Sequence, residues 1–234
     1  MDRDPQALLF DLDGTLIDSM PIHHEAWVAW HELHGLAMDT EAFFAATAGR
    51  SNAEILGDMF PAAGSVELRA MADEKEALYR ERAATSLGLI AGAQAYVERA
   101  RAAGLRLAVC TASTPENMAL AFARFGIDRW VETVTSPADR SSEPGIDAPL
   151  RGKPHPDIFL EAARRLGVAP EHCVVFEDAP LGIEAARRAG MRAVALTTTL
   201  AAAAFAPFDN IIAVAPDFDD PRLSALIPKA EPHA

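Results

Sequence analysis

Short apolar runs and amphipathic segments alternate along most of the chain. Residues 7–10 form an apolar run that ends at Asp11 and is followed by Gly14, which predicts a buried strand that stops at a turn. Further strands are predicted at residues 105–110, 130–135, 173–176, 193–197 and 211–214, and helices at residues 94–102, 115–125, 154–166 and 181–189. Strands that alternate with helices predict an α/β fold with a parallel sheet covered on both faces.

The stretch from residue 21 to residue 87 has a different pattern. Apolar residues such as Ile22, Ala26, Trp27 and Trp30 recur at helical spacing. Residues 42–46, 53–60 and 66–84 also predict helices, and no segment there predicts a strand. We therefore expect an inserted helical domain at residues 18–88 and an α/β core domain at residues 1–17 and 89–234.

Composition narrows the classes of function. The formal net charge is −13, which disfavours nucleic acid as a partner because an acidic surface repels phosphate backbones. No apolar run reaches the ~18 residues that span a membrane, and the acidic N-terminus does not resemble a signal peptide, so we expect a cytoplasmic protein that does not bind membranes. Cys110 and Cys173 lie in apolar runs, which predicts small buried side chains.

Polar residues with catalytic potential stand just after the predicted strands, where ligands bind in parallel α/β sheets. Acidic residues are also common in turns, and a structural role in turns explains one or two of the acidic residues at these positions. Clustered carboxylates, however, repel one another unless a cation neutralises them, and Mg²⁺ prefers few carboxylates with room left for water and phosphate. The candidates are Asp11, Asp13, Gly14 and Thr15; Thr111, Ala112 and Ser113; Glu177 and Asp178; and Lys153, which precedes a helix.

Four segments resemble the motifs of the haloacid dehalogenase (HAD) superfamily. DLDGT at residues 11–15 resembles the first motif, DxDGT, and Thr111 the second, a Thr or Ser that ends a hydrophobic strand. Lys153 in GKPHPD resembles the third motif, and Glu177–Asp178 the fourth. Their order and spacing match along nearly the whole chain. The resemblance implies a Rossmann-like core and a hydrolase, with the first strand between the strands that end at Cys110 and Phe176.

Within the superfamily the chain is similar to the branch of β-phosphoglucomutase and related sugar-phosphate phosphatases. That branch carries a helical cap between the first motif and the second strand, where this sequence has its helical insertion. DSMPIHHEAW, AGRSNAEIL and the pair Lys75 and Tyr79 resemble segments of that cap.

The resemblance implies roles for the motif residues. Asp11 is expected to attack phosphorus as the nucleophile, and Asp13 to act as general acid and then base. Gly14 permits the tight turn, which Thr15 holds. Mg²⁺ is expected to bind the carboxylates of Asp11 and Asp178 and the backbone carbonyl of Asp13. Glu177 is expected either to be a further ligand or to contact the residues that are ligands.

The phosphoryl group itself needs cationic and hydrogen-bonding partners, because its charge is what the site must stabilise. Lys153 and Thr111 are expected to bind it, and Ala112 and Ser113 lie beside Thr111 as further substrate contacts.

The cap residues are harder to interpret. His23 aligns with a cap histidine that approaches Asp13, while Arg50 and Lys75 contact substrate or belong to a solvated face. We expect Trp27 and Trp30 in the cap core. His24, His31 and His34 are expected to be exposed helix residues, and Asp18 and Ser19 to form the hinge.

A phosphatase acting on a small phosphorylated metabolite, a sugar or polyol phosphate, is the favoured function, as a monomer or weak homodimer. A β-phosphoglucomutase-type mutase is an alternative, weakened because Thr114 stands where that enzyme carries a lysine. DSMPIHHEAW and EDAPLGIEAA also resemble an inorganic pyrophosphatase. A binding protein without activity is disfavoured because Asp11, Asp13 and Lys153 are all present. A haloacid dehalogenase is disfavoured because those enzymes lack the second Asp of the first motif, which is present here as Asp13. The polar loop at residues 136–152 is a surface insertion or a cover for the entrance.

Overall fold

The computed structural model describes residues 4–47, 50–143 and 146–228, and the chain divides into two units. Met1–Asp18 and Leu89–Ala234 form one, which we call the sheet unit, and Ser19–Gly88 form the other, the helical unit.

Within the described residues, the sheet has six parallel strands, which are β1 (Ala7–Phe10), β2 (Arg106–Cys110), β3 (Thr133–Thr135), β4 (Cys173–Glu177), β5 (Arg192–Leu196) and β6 (Ile211–Ala215). Their order in the sheet is β3-β2-β1-β4-β5-β6. The order places β1 between β2 and β4, which confirms the predicted α/β class and the central first strand. All residues of β1 are buried because helices cover both faces of the sheet.

Helices connect these strands. They are α5 (Ala93–Ala102), α6 (Pro115–Phe125), α7 (Asp157–Leu166) and α8 (Pro180–Arg188), with 3₁₀ helices at Ile127–Arg129, Pro170–His172, Ala202–Phe205 and Pro221–Leu226. Within the described residues, no helix has the length and apolar character needed to cross a membrane. Cys110 and Cys173 are buried free thiols, as predicted.

Two predicted elements begin three residues later in the structure than the sequence predicts. The strand expected at residues 130–135 begins only at Thr133, because the chain after Gly126 forms a 3₁₀ turn in which the Trp130 N–H donates to the Ile127 carbonyl. The helix expected from residue 154 begins at Asp157 after Pro156, since a residue before proline is disfavoured in the helical region.

Strand register brings the ends of β1 and β4 level. Phe10 pairs with Val109 on one side and with Phe176 on the other. The Asp11 N–H then donates to the Phe176 carbonyl at 3.0 Å. The residues that follow Phe10 and Phe176 therefore leave the sheet side by side.

The helical unit packs around an aromatic core. Its helices are α1 (Met20–Leu33), α2 (Thr40–Thr47), α3 (Asn52–Met59) and α4 (Ser65–Ser86). Trp27 and Trp30 are buried in this core, which confirms the prediction for both. The prediction of an exposed His31 is wrong. Its ring is buried against both tryptophans and its Nδ1 lies 2.8 Å from the Trp27 carbonyl, because it falls on the apolar face of α1.

The polar loop at residues 136–152 is attached to α7. Ser141 N–H donates to the Ala148 carbonyl at 2.9 Å, so the two arms of the loop pair with each other. Ser142 donates through its N–H and its hydroxyl to Glu161 at 3.1 and 2.8 Å. Glu161 is buried and also pairs with Arg164 and Arg165. Most described residues of the loop are exposed, as a surface insertion requires, but its arms are held along the second turn of α7.

We predict that Glu161→Ala lowers the free energy of unfolding by about 1–3 kcal/mol, because it removes a buried acceptor of several hydrogen bonds. Arg140→Ala is the matched control on the same loop. Its partner Asp147 is exposed, so we expect a loss below about 1 kcal/mol. Urea denaturation measures both. Equal effects of the two substitutions would show that Glu161 does not anchor the loop.

Candidate active site

Three buried carboxylates and one lysine meet at the carboxyl ends of β1 and β4. Asp11 follows β1, Glu177 ends β4 and Asp178 follows it, and one oxygen from each lies within 4.8 Å of the others. Lys153 Nζ lies 2.6 Å from Asp11 Oδ1 and also pairs with Glu177. The structure thus brings together residues from three of the four segments singled out in the sequence.

Two glycines leave room for these carboxylates. Gly14 has a φ of +73°, and a Cβ there would lie 2.2 Å from Asp178 Oδ2. A Cβ at Gly182, in α8, would lie 1.9 Å from Glu177 Cδ. Neither distance is sterically possible, so both positions require glycine for the acidic side chains to occupy their places.

Hydrogen bonds fix the two acidic side chains of β4. Thr15 Oγ1 donates to Asp178 Oδ1 at 3.3 Å, and the Thr199 hydroxyl donates to Asp178 Oδ2. Glu177 Oε2 accepts from the N–H groups of Asp178 and Ala179, both at 3.2 Å. Thr199 was not among the predicted site residues. Thr199 follows β5, and that position after a strand is the signal in the sequence that points to it.

Thr111 and its neighbours form a turn after β2. Thr111 is buried, its N–H donates to the Thr135 carbonyl, and its Oγ1 accepts from the Ser113 N–H at 3.0 Å. Ala112 lies between them. Thr114 has a structural role, because its hydroxyl accepts from the Asn117 N–H at 3.3 Å and caps the start of α6.

The loop after β1 also contains Asp13, which is partly buried.

Charge at this site is unbalanced. Burial raises the pKa of Asp11, although Lys153 opposes the shift. Burial likewise raises the pKa of Glu177 to about 8 and that of Asp178 to about 7. Burial alone would lower the pKa of Lys153, but Asp11 and Glu177 overcome it and raise this pKa. One ammonium group thus faces three carboxylates, and a hard cation with oxygen ligands fits this donor set.

The cationic candidates of the helical unit have partners of their own. Lys75 is only 2% exposed, so the solvated-face interpretation of Lys75 is wrong. Its Nζ lies 2.7 Å from His23 Nδ1 and 2.9 Å from Glu76 Oε1, and the His23 ring stacks on Tyr79 at 3.9 Å. Lys75 is buried because it packs beside the aromatic core, with its Nζ 5.4 Å from the centroid of the Trp27 ring. Arg50, about one-third exposed, pairs with Asp58 at 2.6 Å.

The other histidines of α1 differ from each other. His24 is half-buried and stacks on Phe44 with ring centroids 3.7 Å apart. His34 pairs with Glu74 at 2.6 Å and stays 35% exposed at its side chain. The prediction of an exposed helix residue is therefore confirmed for His34 and wrong for His24, because the Phe44 ring covers part of its imidazole.

The model of the haloacid dehalogenase-like hydrolase family matches residues 5–190, which include every motif described above. The chain belongs to this family. Hexitol phosphatase A of Escherichia coli is 34% identical over 194 residues, covering 82% of either chain. Fructose-1-phosphate phosphatase YqaB, also of E. coli, is 33% identical, and the match covers 80% of this chain and 94% of the relative.

The fold of this haloacid dehalogenase-like hydrolase is shared with β-phosphoglucomutase. The solved structure of that enzyme from Clostridium difficile superposes with a TM-score of 0.75 at 22% identity, covering 95% of either chain. The chain is thus an enzyme of the haloacid dehalogenase-like hydrolase family, as the motifs predicted, and it shares its fold with β-phosphoglucomutase.

We predict that Asp178→Asn stabilises the metal-free protein at about pH 8. Burial raises the pKa of Asp178 from 3.8 to about 7, so ionisation of this group destabilises the folded state progressively between those two pH values and fully above about pH 7. Melting temperatures in EDTA test this. The variant should melt higher than wild type at about pH 8, and the difference should shrink towards about pH 5. A lower melting temperature at the alkaline pH would contradict the charge imbalance.

Proposed function

We propose that this hydrolase is a Mg²⁺-dependent phosphatase that releases phosphate from a small sugar or polyol phosphate through an aspartyl phosphate on Asp11. The observation that carries the proposal is the buried contact between Lys153 and Asp11 beside Glu177 and Asp178. The names of the two E. coli relatives support the substrate class, since one is a hexitol phosphatase and the other a fructose-1-phosphate phosphatase.

Asp11 has the environment of a nucleophile. It lies directly after a buried strand beside the Lys153 ammonium, whose positive charge offsets part of the rise in pKa that burial causes in Asp11. In the first step an Asp11 oxygen bonds to phosphorus as the ester P–O bond breaks, and Asp13 gives a proton to the departing alcohol. In the second step water attacks phosphorus, Asp13 takes its proton, and Asp11 is released with inorganic phosphate.

Lys153 has two tasks in this scheme. Its positive charge reduces the repulsion between Asp11 and an anionic substrate, and it stabilises the charge of the transferring phosphoryl group. Glu177 holds the ammonium from the other side. Thr111, with Ala112 and Ser113 in the same turn, supplies hydrogen-bonding groups for the phosphoryl oxygens.

The metal ligands we propose are Asp11, Asp178 and the backbone carbonyl of Asp13, with Glu177 completing the acidic cluster. When bound there, Mg²⁺ supplies positive charge to the phosphoryl oxygens. Gly14 and Thr15 shape the loop that carries these groups. Mg²⁺ fits this site because the site holds three buried carboxylates whose charge the single lysine does not neutralise.

The remainder of the substrate is proposed to meet a helical cap. We assign residues 1–17 and 89–234 to the core domain and residues 18–88 to the cap, with His23, Arg50 and Lys75 as its substrate-binding residues. Asp18 and Ser19 form the hinge. The protein is proposed to be cytoplasmic, a monomer or weak homodimer, with no nucleic acid or membrane partner.

Thr114 separates the phosphatase from the mutase alternative. A mutase must hold a bisphosphate at both ends, and a lysine at this position would supply one of the cations. Here the side chain is a hydroxyl used to cap α6, which favours simple hydrolysis.

The decisive assay is phosphate release from sugar phosphates, polyol phosphates and pyrophosphate, with Mg²⁺ and with EDTA. We expect one sugar or polyol phosphate to be hydrolysed fastest, with activity lost in EDTA. Asp11→Asn should lower kcat by at least about a thousandfold because it removes the nucleophile. Asp128→Asn, an exposed residue in a 3₁₀ turn, is the control and should keep wild-type activity.

Other outcomes would contradict the proposal. Conversion of glucose 1-phosphate to glucose 6-phosphate with a bisphosphate primer, without phosphate release, would indicate a mutase. Pyrophosphate as the fastest substrate would indicate a pyrophosphatase. Full activity of Asp11→Asn would rule out the aspartyl phosphate.

A further inference from the structure

Three consecutive threonines follow β5, and their hydroxyls donate to three different acceptors. Thr197 donates to the Ala215 carbonyl at 3.4 Å, on the neighbouring strand β6. Thr198 donates to the carbonyl of Gly14, in the loop after β1. Thr199 donates to Asp178 Oδ2, after β4. The second and third threonines therefore reach the candidate active site, whereas the first does not.

Asp178 is fixed at both of its oxygens. Thr15 donates to Oδ1 and Thr199 to Oδ2, so rotation of the carboxylate would break one of the two hydrogen bonds. Each carboxylate oxygen can accept about two partners, so a single hydroxyl on each leaves capacity for a cation. The two hydroxyls thus hold the side chain in one orientation without using all its acceptor sites.

Thr198 and Thr199 also pack directly against the loop after β1. A Cβ at Gly14 would lie 2.7 Å from Thr199 Oγ1 as well as 2.2 Å from Asp178 Oδ2. The Thr198 bond restrains the Gly14 carbonyl, one peptide after the Asp13 carbonyl that we assign to the metal. The turn after β5 thereby links the two loops that carry the proposed ligands.

We infer that Thr199 is a positioning residue for the cation site, acting through Asp178, and that Thr198 assists it by restraining the loop after β1. This inference rests on the proposed metal site. Residues that orient metal ligands typically contribute 10- to 100-fold to metal affinity.

The test is Mg²⁺ binding to the substrate-free protein by titration calorimetry, with the melting temperature in EDTA as a second measurement. Thr199→Val removes the hydroxyl with little change of shape and should weaken Mg²⁺ binding about 10- to 100-fold. Thr199→Ser keeps the hydroxyl and should bind within about threefold of wild type. Thr197→Val is the matched control, because its hydroxyl bonds away from the site, and should bind as wild type does.

The outcomes separate this inference from the proposed function. If wild type binds Mg²⁺ and Thr199→Val binds as tightly as Thr197→Val, the positioning role is wrong while the metal site stands. If wild type binds no Mg²⁺, the metal site itself is wrong. If Thr199→Val does not fold, Thr199→Ala replaces it, and unchanged affinity in that variant would overturn the inference.

Discussion

Three carboxylates and one ammonium group share a buried place at the end of the sheet. Burial disfavours the charge on Asp11, Glu177 and Asp178, and Lys153 compensates for only part of it. Such an arrangement lowers the stability of the folded protein unless a further positive charge is present. It is therefore an expected feature of a site that binds a cation and an anion together, and it accounts for the motifs spread along the chain.

The fold supplies this arrangement through the register of its central strands. Because β1 lies between β2 and β4 and ends level with β4, the loops after both strands leave the sheet side by side. Gly14 and Gly182 then admit the carboxylates where any larger residue would collide with them. The apolar core and the two glycines both hold the carboxylates together. The rigid sheet keeps these like charges closer than they would lie in water, and the glycines leave the space that the side chains occupy.

The sequence was sufficient for the α/β class, the central first strand and the residues at the strand ends, because strand ends are marked by an abrupt change from apolar to acidic residues. The position of Thr199 after β5 was a signal in the sequence, but its hydrogen bond to Asp178 depends on β5 lying beside β4, which the sequence does not show. The burial of Lys75 and His31 was also missed. Charged and polar residue types predict side chains that are exposed to solvent. Lys75, however, has Glu76 as a buried partner, and His31 forms a hydrogen bond with a backbone carbonyl. The local sequence does not reveal either contact.

The central claim is that a cation balances the excess of buried negative charge. Raised carboxylate pKa values imply that part of the metal-free site is protonated near neutral pH, so binding of Mg²⁺ must displace protons. Titration calorimetry of the metal-free protein with Mg²⁺, in buffers of different ionisation enthalpy, measures that release. We predict release of protons at about pH 7, which declines as the pH rises above the raised pKa values. Mg²⁺ binding with no proton release at about pH 7 would contradict the claim.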